Sequence, residues 1–165
     1  MGKKLYIIRH AKSSWKDLNL SDFDRPLNKR GKKDAPFMGE RLHRYHIHPD
    51  LILSSPAARA IKTARFIARE VEYNKADILE DKRIYGAEVP QLLEVIHEQD
   101  DRYNIIFLIG HNPGLTLLAE YFSGLPVQNI PTCGIFCVEF QVDSWKEIQE
   151  KRGALVFFDF PKKHH

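Results

Sequence analysis

The sequence predicts an α/β fold, a three-layer α/β/α sandwich around a mainly parallel central sheet. Three observations lead there. Short apolar runs alternate with amphipathic stretches, the signature of β–α–β units. The runs do not alternate in polarity, as expected of strands covered on both faces. Three of them end directly in unusual polar residues, and a parallel sheet binds its ligands beyond the carboxyl ends of its strands.

Leu5-Tyr6-Ile7-Ile8 is the first strand, and residues 11–28 are polar and irregular. A helix follows from Lys29 to Tyr45, but Pro36 conflicts with it and argues for a start nearer Lys33, since proline is comfortable only in a first turn. Leu51-Ile52-Leu53 is a second strand. Ala58 to Val71 has the helical spacing Ala60, Ile61, Ala64, Ile67, Ala68. Asp77-Ile78-Leu79 is a short edge strand, and Leu92 to Glu98 is helical. Ile105 to Ile109 is a buried strand, and Pro113-Gly114 opens a helix through Phe122. Ile135 to Val142 and Ala154 to Phe160 close the sheet, with Phe157 and Phe158 in the core.

Length and composition fit one domain over residues 1–165, with an ordinary core and 28% charged residues. Lys and Arg number 25 against 22 Asp and Glu, a net charge of +3. That excess is too small to argue for nucleic acid or a membrane surface. The longest apolar runs fall far short of the ~20 residues of a membrane span. Leu5–Ile8 is too short for a signal sequence, which needs roughly 7–15 apolar residues. The expectation is a cytoplasmic protein, a monomer by default. Cys133 and Cys137 read as lying in one strand, about 13 Å apart, against the roughly 7 Å limit of a disulfide, and so as free thiols. His164 and His165 read equally as native residues or as the stub of an affinity tag, and carry no inference.

Arg9-His10 comes straight off the first strand. Ser54-Ser55-Pro56-Ala57-Ala58-Arg59 puts Arg59 in the first turn of a helix, where the helix dipole disfavours a cation. A residue that breaks a local rule is a functional candidate. Gly110-His111-Asn112-Pro113-Gly114 joins a buried strand to a helix start, where free N–H groups suit an anion. Each segment alone is as well explained by a surface turn. Together they bring two histidines and two arginines to one sheet edge. Planar guanidiniums match phosphoryl oxygens. A neutral imidazole among them can attack phosphorus, and the arginines stabilise the transition-state charge. The scheme needs no metal and no cofactor. His43, His46 and His48 lack an acidic or Cys partner and suit a helix end better than a metal. Trp15 either borders the pocket or packs on the fold.

Leu-Tyr-Ile-Ile-Arg-His-Ala-Lys-Ser-Ser-Trp at 5–15 resembles the opening motif of the histidine phosphatase superfamily, the phosphoglycerate-mutase-like fold. Residues 54–64 and 109–114 resemble its second and third motifs. Asp22-Phe23-Asp24-Arg25-Pro26-Leu27 with Arg30-Gly31 is similar to the SixA-type phosphohistidine phosphatase branch. The resemblance implies that His10 is the phosphorylated nucleophile, that Arg9 and Arg59 bind phosphate, and that His111 bonds the phosphoryl oxygens. It implies a further phosphate contact from Arg25, with Asn112 of the third motif also at the substrate. Asp22 or Asp24 would orient an arginine.

The chain departs from the mutase pattern at the general acid. Where mutase-like members carry Glu three residues before Tyr-Gly-Ala, this chain has Lys82 before Tyr85-Gly86-Ala87. Asp81 and Glu88 lie nearby. An alcohol leaving group gains roughly 10²–10⁴-fold from a proton donor. An imidazole leaving group titrates near ~6.5 and needs less help. The absence, together with the short connection from Leu79 to Leu92, favours a phosphohistidine phosphatase acting on a phosphohistidine-bearing protein. The alternatives are a phosphatase of small esters or sugar phosphates and a non-catalytic phosphate-recognition module.

Overall fold

The computed structural model describes residues 2–165. Along the chain run β1 (Lys3–Arg9), α1 (Lys29–Arg44), β2 (Leu51–Ser54), α2 (Ala58–Glu70), β3 (Leu79–Glu80), α3 (Val89–His97), β4 (Ile105–Gly110), α4 (Gly114–Ser123), β5 (Ile135–Phe140) and β6 (Ala154–Asp159). The strands form one sheet in the order β3-β2-β4-β1-β5-β6. The pairs β3–β2, β2–β4 and β4–β1 are parallel, while β5 runs antiparallel to both β1 and β6.

The alternation of side chains along each strand sorts the core into two layers. Leu5 and Ile7 of β1 join Ile106 and Leu108 of β4 against α3, α4 and the buried Trp145. Tyr6, Ile8, Phe107 and Ile109 face α1 and α2. Both faces are thus covered, as the unbroken apolar runs predict. A fully buried side chain such as Phe107 contributes roughly 1.5–3 kcal/mol.

Five sequence expectations need correction. First, α1 starts at Lys29 despite Pro36, which sits inside it. The Asn28 side chain caps its first turn by accepting from Gly31 N at 2.8 Å. The carbonyl that Pro36 leaves unbonded belongs to Lys32, an exposed residue. Second, β3 is only Leu79–Glu80, because residues 75–77 form a 3₁₀ turn capped by Asn74. Third, α3 begins at Val89, three residues early, with Pro90 in its first turn. Fourth, only Cys137 lies in β5. Cys133 precedes the strand with φ 60°, and both thiols are free. Fifth, β6 is an edge strand. Phe157 and Phe158 are half-buried, and Leu155 and Val156 are exposed. No helix among the described residues is long and apolar enough to cross a membrane.

Candidate active site

The ends of β2, β4 and β1 lie side by side, and each turns away carrying polar residues. His10 N–H donates to the Gly110 carbonyl at 3.1 Å, and the His10 carbonyl accepts from Cys133 N–H at 3.0 Å. Ser55 N–H is held by the Ile109 carbonyl. This backbone lattice brings Arg9, His10, Arg59 and His111 to one cleft of about 370 Å³, which Lys12, Ser13, Trp15, Asp22, Arg25, Asn112 and Thr132 also line.

His10 is buried, and its Nδ1 lies 2.7 Å from the Ala11 carbonyl. A carbonyl only accepts, so the proton sits on Nδ1 and the lone pair on Nε2. Arg59 Nε donates toward that Nε2 at 3.4 Å. Burial pushes the His10 pKa down to about 3, against the lift from the Ala11 hydrogen bond, and His111, Arg59 and Arg9 add lesser depressions. His111 is lowered to about 4, first by burial and then by Arg59. Its Nε2 meets Ser55 Oγ at 2.8 Å, and its ring centroid is 5.2 Å from that of His10.

Among the described residues, only two buried side-chain polar atoms lack a hydrogen-bond partner: Arg9 Nε and His111 Nδ1. Both belong to residues of this cleft. An unmet buried polar group costs about 1–3 kcal/mol, and an oxyanion supplies the acceptors that a guanidinium lacks here. Arg9 is otherwise fixed by donating from Nη1 to the Ile130 carbonyl at 3.0 Å.

Asp22, and not Asp24, organises the arginines. Its Oδ2 accepts from Arg59 Nη2 at 3.0 Å and from the Tyr85 hydroxyl at 2.7 Å, and its Oδ1 accepts from Arg25 Nε at 3.2 Å. The Tyr85 hydrogen bond is foremost, and with Arg59 and Arg25 it holds the Asp22 carboxyl down at about 2. Asp24 instead accepts from Ser21 Oγ. Arg25 also donates to Ser13 Oγ at 2.8 Å, and its guanidinium lies 3.4 Å from the Trp15 ring centroid. Trp15 thus borders the cleft, with 68% of it exposed. Neither Tyr85 nor Ser55 stands out in the sequence as a site residue. The Tyr-Gly-Ala triplet and the strand-end Ser-Ser were the available signals.

Asn112 lines the cleft, but its amide braces the loop. Nδ2 donates to Asn129 Oδ1 and the Ile130 carbonyl, and Oδ1 accepts from Thr116 N and Oγ1. Asp81 and Glu88 are not among the cleft's lining residues. Asp81 is paired with Arg83 at 2.8 Å, which keeps its carboxyl below the ordinary range. Glu88 is exposed at the N-terminus of α3.

Two arginines around a neutral, lone-pair-bearing imidazole form a set of groups suited to a phosphoryl oxyanion. The chain belongs to the histidine phosphatase superfamily and is a phosphatase of that superfamily: the family model for its branch 1 matches residues 5–86. An uncharacterized chloroplastic protein of Arabidopsis thaliana is 32% identical over 155 residues, covering 89% of this chain and 71% of that protein. A structure from Agrobacterium tumefaciens, described as a putative phosphohistidine phosphatase SixA, is similar with TM-score 0.80 and 29% identity, over 96% of this chain and 98% of that one. The tungstate complex of a protein histidine phosphatase SixA shares the fold with TM-score 0.84 at 17% identity, over 98% of this chain and 99% of that one.

Proposed function

We propose that this protein is a phosphohistidine phosphatase that releases phosphate from protein-borne phosphohistidine through a phospho-His10 intermediate. The carrying observation is the state of the cleft's carboxylate. Asp22 is the one acidic side chain lining it, and it is held ionised by Tyr85, Arg59 and Arg25. Such a group donates no proton near neutral pH. An alkoxide leaving from an ester would depart unassisted, whereas a leaving imidazole takes its proton from solvent near its own pKa of ~6.5. The SixA descriptions of the similar structures support the same reading.

In the first half-reaction His10 Nε2 attacks phosphorus, its bond to phosphorus forms, and the substrate's P–N bond breaks. The electron pair of that bond leaves with the substrate imidazole, which solvent protonates. Arg9, Arg59 and Arg25 donate to the phosphoryl oxygens as charge shifts, and His111 completes the cradle. In the second half-reaction a water oxygen attacks phosphorus, the P–Nε2 bond breaks, and phosphate leaves with the remaining proton lost to solvent. The Nδ1–H of His10, fixed on Ala11, keeps Nε2 aimed at phosphorus throughout. No step is assigned to a metal.

The test is phosphate release by wild type and His10→Ala, with chelator present, from a phosphohistidine protein and from p-nitrophenyl phosphate in parallel. The expected outcome is fast release from the protein, slow release from the ester, and a loss of at least ~10³-fold in the variant. Higher catalytic efficiency on the ester would replace the reading with a small-molecule phosphatase. Unchanged activity in His10→Ala would remove the covalent mechanism.

A further inference from the structure

The first turn of α2 carries Arg59 into the cleft, and the following turns carry a second feature outside it. Lys62, Arg65 and Arg69 project from α2, and Lys75 is exposed just past it. With the half-buried rings of Phe66 and Tyr73 they line a notch of about 390 Å³. Lys62 Nζ stands 5.1 Å and Arg69 Cζ 5.3 Å from the Phe66 ring centroid, so two cations flank one aromatic ring. Arg69 has Glu70 beside it at 3.2 Å. No ion pair engages Lys62, Arg65 or Lys75 among the described residues. Arg83, by contrast, is matched by Asp81, Glu94 and Glu98.

The charge is also sorted by layer. Helices α1 and α2 carry ten Lys or Arg against three acidic residues, while α3 and α4 carry no Lys or Arg and two Glu. A modest net charge of +3 hides this polarity. At 1.5 Å per residue, the stripe from Lys62 to Arg69 extends roughly 5–15 Å along α2 from Arg59. A protein contact of ordinary size, ~800 Å² per partner, spans roughly 30 Å. A protein seated over the cleft mouth with a footprint of that width can therefore reach the stripe.

We propose that Lys62, Arg65, Phe66 and Arg69 form the docking surface for the protein substrate, and that this partner presents an acidic patch beside its phosphorylated histidine. The inference rests on the phosphohistidine reading above and adds to it where the partner sits and which charge it bears. Complementary charge of this kind speeds encounter and fixes register more than it deepens affinity. The small phosphoryl site then needs only to grip the phosphoryl group, while partner choice is made along the helix.

The experiment compares wild type with the variant K62E/R65E/R69E on three probes. One is a phosphohistidine protein with acidic residues around its histidine. The second is the same protein with those acids changed to lysine. The third is free phosphohistidine. The variant is expected to lose roughly 10- to 100-fold in kcat/KM on the acidic protein, mainly in KM. It should stay within about 2-fold of wild type on free phosphohistidine, which reports an intact fold and cleft, and recover on the lysine-bearing protein. Raising salt should narrow the gap between the enzymes. Equal efficiency of both enzymes on the acidic protein would overturn the docking surface and leave the phosphohistidine reading standing. A wild type that spares phosphohistidine in every probe overturns that reading, and the docking surface with it.

Discussion

Neutrality at His10 and His111 is imposed by burial and by the guanidiniums around them, not by the ordinary imidazole equilibrium. With pKa values at about 3 and about 4, both rings should stay neutral from pH 5 to pH 8. Nitrogen-detected NMR of the ligand-free protein checks this, and a titration midpoint between 6 and 7 for either ring would contradict it. Asp22 is the second lever at this scale. Asp22→Asn keeps a similar shape but loses the charge that anchors Arg59 and Arg25. Activity is expected to fall roughly 10- to 100-fold through misplaced guanidiniums, with a smaller loss of global stability because Asp22 is half exposed and solvent screens its pairs. Kinetics alongside urea denaturation separates the two effects. That Arg9, His10, Arg59 and His111 meet in one cleft could be read from sequence, because each ends, follows or opens an element whose apolar run is plain. The choice of Asp22 over Asp24 could not, because it depends on partners 37 and 63 residues away. Asn112 shows the converse: its place in a motif suggested substrate contact, while its neighbours claim all its amide hydrogen-bonding capacity.

Helix α1 shows how an element far from the phosphoryl group still shapes its surroundings. Its N-terminus abuts the segment that leaves His10. Asn28 N–H donates to the Lys12 carbonyl at 3.0 Å, and a Cβ at Gly31 would stand 2.1 Å from that same oxygen. Gly31→Ala must therefore displace backbone two residues from His10. The expected cost is about 1–3 kcal/mol in urea unfolding, with a fall in activity larger than stability alone explains. Gly31 appears in sequence only as one glycine among charged residues, and its tight approach is a tertiary fact. The same holds for Pro36, whose local penalty is outweighed by the burial of Ala35, Met38 and Leu42 on α1. The strand at 105–110 needed no such context, because its apolar run is long and bounded. β6 has a similar run but stands at the sheet edge, where one neighbour is missing, and strand order is not written in local pattern.

Acid should destabilise the fold through the two cleft imidazoles. In the unfolded chain each takes a proton below about 6.5, while the folded protein refuses it until about 4 at His111 and about 3 at His10. The unfolded state thus binds more protons across that window, and stability falls as pH drops through it. The slope reaches up to about 1.4 kcal/mol per pH unit for each histidine. Replacing both histidines with glutamine should flatten the unfolding midpoint between pH 6.5 and 4, and an unchanged slope would locate the acid sensitivity elsewhere.

Sheet order has a temporal meaning as well. β1 leads directly into His10, yet it is flanked by β4 and β5, strands about 100 and 130 residues later in the chain. Contacts of such long separation form slowly because so much chain must be gathered first. During synthesis, the ribosome would release residues 1–110 with His10 lacking the Cys133 amide that holds its carbonyl. A nascent chain would therefore carry His10 long before its surroundings are built, and the cleft would be complete only when β5 closes the sheet.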